Sequence, residues 1–101
     1  MASKGTYSAI YSTRAQKNIA EHWGFYEDRQ QGLGDRFEKA VELRVHLIEQ
    51  HPERYPTRTK TYKETPVPDF PFLIIYRVNN KKRSVRIVSV FHTSLNPAKK
   101  Y

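Results

Sequence analysis

The residues of this chain that can do chemistry are basic and aromatic. There is no cysteine, which removes disulfides and thiolate metal sites and makes a reducing compartment the natural setting. No glycine-rich phosphate loop, paired catalytic carboxylates or nucleophile motif occurs in the sequence. Four histidines remain. His22, His46 and His51 fall on helices or at their ends, and their spacing makes no metal-binding pattern, so they read as surface or helix-end residues. His92 differs, because it ends the last apolar run and an imidazole titrates near neutral pH. Such a residue can move a proton, or simply close a strand.

The cations are unevenly placed. Lys plus Arg is 18 and Asp plus Glu is 10, a net charge of +8. Residues 1–51 hold seven basic and seven acidic side chains, and residues 52–101 hold eleven and three, so the second half carries the whole excess. A local positive field attracts nucleic-acid phosphates or an acidic protein. In that half, Arg58, Lys60 and Lys63 share a polar stretch with Tyr62, and Arg77 lies near the end of the longest apolar run. Lys81-Lys82-Arg83 falls in a turn, where such residues are usually solvated. Lys60 and Lys63 are three apart, so an ideal strand points them to opposite faces. That works against a dense cationic cluster.

A small core must position these groups. A chain of 101 residues, 38% apolar, suits one domain over 1–101 with one core. Its centre is Phe70-Pro71-Phe72-Leu73-Ile74-Ile75-Tyr76-Arg77-Val78, an aromatic and β-branched run apolar on both sides. It reads as a central strand with Pro71 at its beginning. Thr6 to Ser12 reads as a first strand, with Tyr7, Ala9 and Tyr11 on one face. Thr13 and Gln16 make a capping-box pattern that opens a helix to about Arg29. Ala15, Ile19, Trp23 and Tyr26 form its inner face. After the break Gln30-Gln31-Gly32-Leu33-Gly34, Asp35 opens a second helix with Phe37, Val41, Val45 and Ile48 in a stripe. Pro52 ends it at His51.

The two helices should form an antiparallel hairpin. Arg58 to Thr65 reads as one polar strand, with Lys60, Tyr62 and Glu64 on one side and Thr59, Thr61 and Lys63 on the other. Asn79 to Lys82 is a hairpin loop. Ser84 to Phe91 is the last strand, with Val85, Ile87, Ser89 and Phe91 on one face and Arg86, Val88, Val90 and His92 on the other. Residues 93–101 read as a flexible polar tail. The order is β-α-α-β-β-β. It predicts an α+β fold, a helical hairpin on one face of a small, mainly antiparallel four-stranded sheet. No apolar leader or membrane-length run is present, so a soluble cytoplasmic protein without a membrane partner is expected.

Four pieces carry a resemblance. They are Gly32-Leu33-Gly34-Asp35-Arg36-Phe37, His51-Pro52-Glu53-Arg54-Tyr55-Pro56, the central run Phe70 to Val78, and Val88-Ser89-Val90-Phe91-His92. In this order and spacing, over almost the whole chain, they resemble the RelE/ParE superfamily of bacterial type II toxin–antitoxin toxins, the plasmid stabilisation type. The resemblance implies a small, basic, growth-inhibiting protein without a cofactor. It also implies an acidic antitoxin that wraps the toxin. RelE-like members enter the ribosome and cleave mRNA, whereas ParE-like members act on DNA gyrase and lack the RNase residues. A member that has lost its activity would survive as a binding protein.

On the RelE branch, the resemblance directs attention to His92 and Arg77 as catalytic groups. Arg58, Lys60 and Lys63 would bind phosphate, and Tyr62 and Tyr101 would stack on a base or donate a proton. Metal-free RNA cleavage needs a base, an acid and cations at the phosphate, so His92 must converge with a cation. On the ParE branch, a similarly placed histidine and the Tyr-Arg-Val segment occur without that chemistry. Both branches stay open at this point.

Overall fold

Helix α1 spans Thr13–Arg29 and helix α2 Leu33–Gln50 in the computed structural model, which describes residues 6–59 and 62–94, Arg58 and Thr59 by backbone alone. The N-cap of α1 is Ser12 rather than Thr13: its Oγ accepts the Ala15 N–H at 3.0 Å. Gln16 turns back to donate to the Tyr11 carbonyl at 3.1 Å. Helix α2 begins before Asp35, at Leu33, after Gly32 turns the chain with φ 87. Glycine suits that left-handed conformation because it has no Cβ to clash.

The break is fastened to α1. The Glu27 carboxylate accepts the N–H groups of Gly32 and Gly34 at 2.9 and 3.0 Å. Asp35 accepts the Trp23 indole N–H at 2.9 Å, which leaves Trp23 at the helix seam. On α2, Phe37, Val41, Val45 and Ile48 are buried, as their spacing predicts. His51 caps the helix, its N–H bonded to the Leu47 carbonyl.

Strands β1 (Ser8–Tyr11), β2 (Thr57–Thr59), β3 (Tyr62–Pro66), β4 (Phe72–Asn79) and β5 (Ser84–His92) form one sheet in the order β1-β5-β4-β3-β2. The fold class is the expected α+β one. The sheet is mixed, because β1 runs parallel to β5 while the other pairs are antiparallel. It has five strands and not four, since the polar stretch doubles back. Thr57 lies opposite Lys63 and Thr59 opposite Tyr62. The single-strand alternation read across 58–65 therefore does not hold.

The helices cover one face of this sheet. Phe72, Ile74 and Tyr76 of β4 and Val85, Ile87 and Val90 of β5 join the α2 stripe and Ala15 in the core. The buried Tyr76 hydroxyl donates to the Pro52 carbonyl at 3.2 Å, satisfying a phenol that could not otherwise be buried cheaply. Among the described residues, no helix is long and apolar enough to cross a membrane.

A β-bulge on β5 changes the expected sidedness. Ile75 lies opposite Ser89, but the next residue, Tyr76, lies opposite Ile87, so Val88 is the extra residue. Before the bulge, Val85 and Ile87 share the helix face. After it, Val90 and His92 do, opposite Ile74 and Phe72. Ser89 and Phe91 thus leave the face assigned to them from strict alternation. The bulge sits where β1 stops, since the β1–β5 register ends at Tyr11–Ile87. Helix α1 then takes over the edge. The Ser12 hydroxyl donates to the Val88 carbonyl at 2.8 Å, and Asn18 Oδ1 accepts the Val90 N–H at 3.1 Å. Backbone groups that lose ladder partners still need partners when buried.

Candidate functional site

His92 ends β5 and packs toward α1. Its ring lies edge-on to Phe72 at 4.9 Å between centroids and 6.4 Å from His22. With Phe25, Tyr26 and Ser94 these residues line a cavity of about 280 Å³. The backbone N–H of Ser94 meets His92 Nδ1 at 3.1 Å, and the Ser94 hydroxyl lies 2.7 Å from the same nitrogen. An amide N–H can only donate, so Nδ1 is the acceptor and the neutral ring carries its proton on Nε2. The nitrogen that would act as a base is already engaged.

His22 was expected on the surface, yet it is a second imidazole in this cavity, 4.5 Å from Phe72 and 6.2 Å from Phe37. Burial, followed by the neighbouring His92, pushes its pKa below the ordinary value, with Glu21 acting in the opposite direction. The helix periodicity held a signal for this: His22 follows Ile19 and precedes Tyr26, at spacings of three and four, on the inner face.

Arg77 lies elsewhere. It stands opposite Arg86 on the sheet face turned away from the helices, and its guanidinium sits over the Tyr62 ring at 5.4 Å. Phe72, opposite His92, is on the helix face. Arg77 lies five positions beyond Phe72 on β4, about 17 Å along a strand. His92 and Arg77 therefore occupy opposite faces and opposite ends of the β4–β5 ladder.

The remaining candidates divide. Lys63 is buried and held: its Nζ donates to the Tyr55 carbonyl at 2.9 Å and Thr57 Oγ1 at 3.1 Å, and lies 3.4 Å from Glu53. It fastens the connector after α2 to the sheet. Nearby, Arg44 donates to the Tyr55 hydroxyl at 2.9 Å. Burial acts to raise the pKa of that phenol, but hydrogen bonds from Arg44 and Arg54, the Arg44 charge and Thr65 together hold the value below the ordinary one. The backbone of Arg58 lies in β2, while its side chain, Lys60 and Tyr101 fall outside the described residues. No group of three or more metal-ligating side chains gathers among the described residues.

The family model for the ParE toxin of the type II toxin–antitoxin system, parDE, matches residues 9–97. The chain belongs to this family, within the RelE/ParE superfamily. Among solved structures, it is similar to the chromosomal ParDE TA system from P. aeruginosa, with a TM-score of 0.75 at 12% identity, covering 87% of this chain and 97% of that one. It is similar to the toxin–antitoxin complex RelBE2 from Mycobacterium tuberculosis, with a TM-score of 0.64 at 16% identity, covering 86% and 98%. It also resembles the isolated E. coli RelE toxin, with a TM-score of 0.55 at 19% identity, covering 91% and 89%. At these identities the likeness is one of fold. No curated protein matches the sequence.

Proposed function

We propose that this chain is the toxin of a toxin–antitoxin pair and arrests growth by binding a protein target, DNA gyrase, rather than by cutting mRNA. The observation that carries the reading is the separation of His92 from Arg77 across the sheet. A metal-free ribonuclease needs an acid–base group and a cation at one phosphate. Here the imidazole faces α1 with Nδ1 engaged by Ser94, and Lys63 is committed to Tyr55, Thr57 and Glu53. The family model points to the same branch. An antitoxin of opposite charge is the natural partner of a chain with a net charge of +8.

The test is induction under tight control, with translation, mRNA integrity and DNA supercoiling followed separately. Supercoiling and replication are expected to fail while translation continues, and His92→Ala is expected to remain toxic. Cleaved ribosome-bound mRNA, together with relief of toxicity by His92→Ala, would overturn the reading. Loss of one acid–base group costs a ribonuclease about 10²–10⁴-fold in rate, so the two outcomes are well separated.

A further inference from the structure

The sheet face turned away from the helices changes character halfway along its strands. Toward the β4–β5 turn it is open: Arg77 and Arg86 are exposed, as are Ser8 and Ile10 beside them on β1. Toward the other end it is closed. Ile75 is 0% exposed, Ser89 1%, Phe91 6% and Glu64 9%. The ladders put these four side by side. Ser89 and Glu64 flank Ile75 on β5 and β3, and Phe91 is the next residue of β5 on that face. A sheet face with nothing over it is wetted, so burial of this degree needs a layer of atoms above the closed half.

The helices do not supply that layer. They cover the opposite face, and Ile75 and Phe91 fall outside the core cluster that α1 and α2 build with the sheet. The β3–β4 connection turns toward the helices too, since Val67 and Phe70 join that core. Among the described residues no further helix or strand remains. The chain beyond them comprises residues 1–5, 60–61 and 95–101. The first leads into β1, whose register with β5 runs along the open half, from Ser8–Ser84 to Tyr11–Ile87. The second is two residues between β2 and β3, and β3 is two strands away from Phe91. The third leaves the sheet at the closed end. There the Thr93 N–H donates to the Pro71 carbonyl at 2.9 Å and the Ser94 N–H to His92 Nδ1 at 3.1 Å, which pins the exit beside Phe91.

We propose that residues 95–101 fold back as an extended strap over Ile75, Ser89 and Phe91 and close this half of the sheet. The length suffices. Residues 95–101 reach roughly 23 Å when extended, and two strand spacings, from β5 to β3, are only ~10 Å. The composition fits as well. Leu95 brings an apolar side chain to the exit, where Phe91 and Leu73 lie opposite each other. Pro97 is unsuited to a helix interior and holds an extended φ. Lys99 and Lys100 carry ammonium groups toward Glu64, a carboxylate whose burial calls for a cation or hydrogen-bond donors. The strap makes this segment part of the fold rather than a loose polar tail. It also sets what a macromolecule can reach: the Arg77–Arg86 half stands open, and the Ile75–Phe91 half opens only when the strap lifts. The inference does not depend on which target the chain acts upon.

The experiment uses the full chain, whose lack of cysteine makes one introduced thiol a clean reporter. Ser89→Cys and Ser8→Cys place a thiol in the closed and in the open half of the same face, and each is timed against a maleimide under native conditions. The closed position is expected to react at least about 100-fold more slowly, because labelling there waits for a local opening. Leu95→Asp added to Ser89→Cys should speed labelling at least about tenfold, and added to Ser8→Cys should leave it unchanged. A second measurement needs no destabilising change. Ser89→Cys with Ala98→Cys, oxidised by glutathione disulfide, should close an intramolecular disulfide read by mass, since a crossing strap brings the two Cα atoms within about 7 Å. Ser8→Cys with Ala98→Cys should not close one. Equal reactivity of the two single thiols would overturn the closed face. Slow labelling at position 89 that ignores Leu95→Asp, with no crosslink between positions 89 and 98, would overturn the strap as its cover.

Discussion

The two glycines inside helices should respond oppositely to one substitution. A Cβ built on Gly34 would lie 2.7 Å from the Trp23 carbonyl oxygen, 2.9 Å from Glu27 Oε1 and 3.0 Å from Trp23 Cδ1. The first is backbone of α1 and yields only if the helices part. The second is the carboxylate that holds the break between them. Overpacking of this kind costs about 1–3 kcal/mol. Displacing Glu27 removes part of two charge-assisted hydrogen bonds, each worth about 1.5–3 kcal/mol. Against this, alanine gains about 0.5–1 kcal/mol over glycine in a helix. Gly34→Ala is thus expected to lose about 1–3 kcal/mol net. Gly24 has nothing within 4 Å of the same position, so Gly24→Ala should gain about 0.5–1 kcal/mol. Thermal melts read both, at roughly 4–8 °C per kcal/mol for a domain of this size. If Gly34→Ala melts at or above the wild type, the close approach of α1 to the start of α2 is refuted.

Two further substitutions probe the core and the buried hydroxyls. Ile74 is fully buried on β4, and Ile74→Ala should cost about 2–5 kcal/mol in urea unfolding; an unchanged midpoint would remove Ile74 from the core. Tyr11 is pushed up to about 12, first by burial and then by Glu42, Glu49 and Glu38. The folded chain keeps this proton where the unfolded chain, at about 10, releases it, so its contribution is full below pH ~10 and is lost as pH rises toward 12. Discounted for partial exposure, the loss should be about 1–2 kcal/mol. Tyr11→Phe should flatten that slope, and equal slopes in the two proteins from about pH 9 to 12 would reject the assignment.

Much of the fold was legible because it rests on long periodic signals. The Phe37–Val41–Val45–Ile48 stripe and the central run around Ile74 are buried as spacing requires, and the helical hairpin and antiparallel meander follow from them. The errors fall where tertiary hydrogen bonds override local pattern. Thr13 looked like a cap by its partner at Gln16, but Ser12 reaches Ala15 as an acceptor and Val88 as a donor with one hydroxyl. The stretch 58–65 alternates well enough for one strand, yet it pairs with itself across β2 and β3. The spacing of His22 to the other histidines makes no metal pattern, yet its ring packs on Phe72 and Phe37. Its spacing to Ile19 and Tyr26 was the relevant one.

The site was less legible for one reason, a single inserted residue. With strict alternation on β5, Arg86, Val88, Val90 and His92 share a face, and Arg77 lies opposite Arg86. An imidazole and two guanidinium groups would then stand on one surface, though still about 17 Å apart along the strands. The bulge at Val88 shifts the phase and carries His92 to the helix side. Local composition gives a faint sign of it: alternation is clear through Val85-Arg86-Ile87 and then dissolves in Val88-Ser89-Val90-Phe91, where the polar Ser89 is buried. The cause lies far away in sequence, in Ser12 and Asn18, which take the Val88 carbonyl and the Val90 N–H. Two side chains at the start of α1 thus stabilise a bulge some seventy residues later. That bulge determines which face of the sheet His92 occupies. It leaves the sheet face with arginines and no imidazole, a surface suited to holding an anion rather than transferring a proton to it.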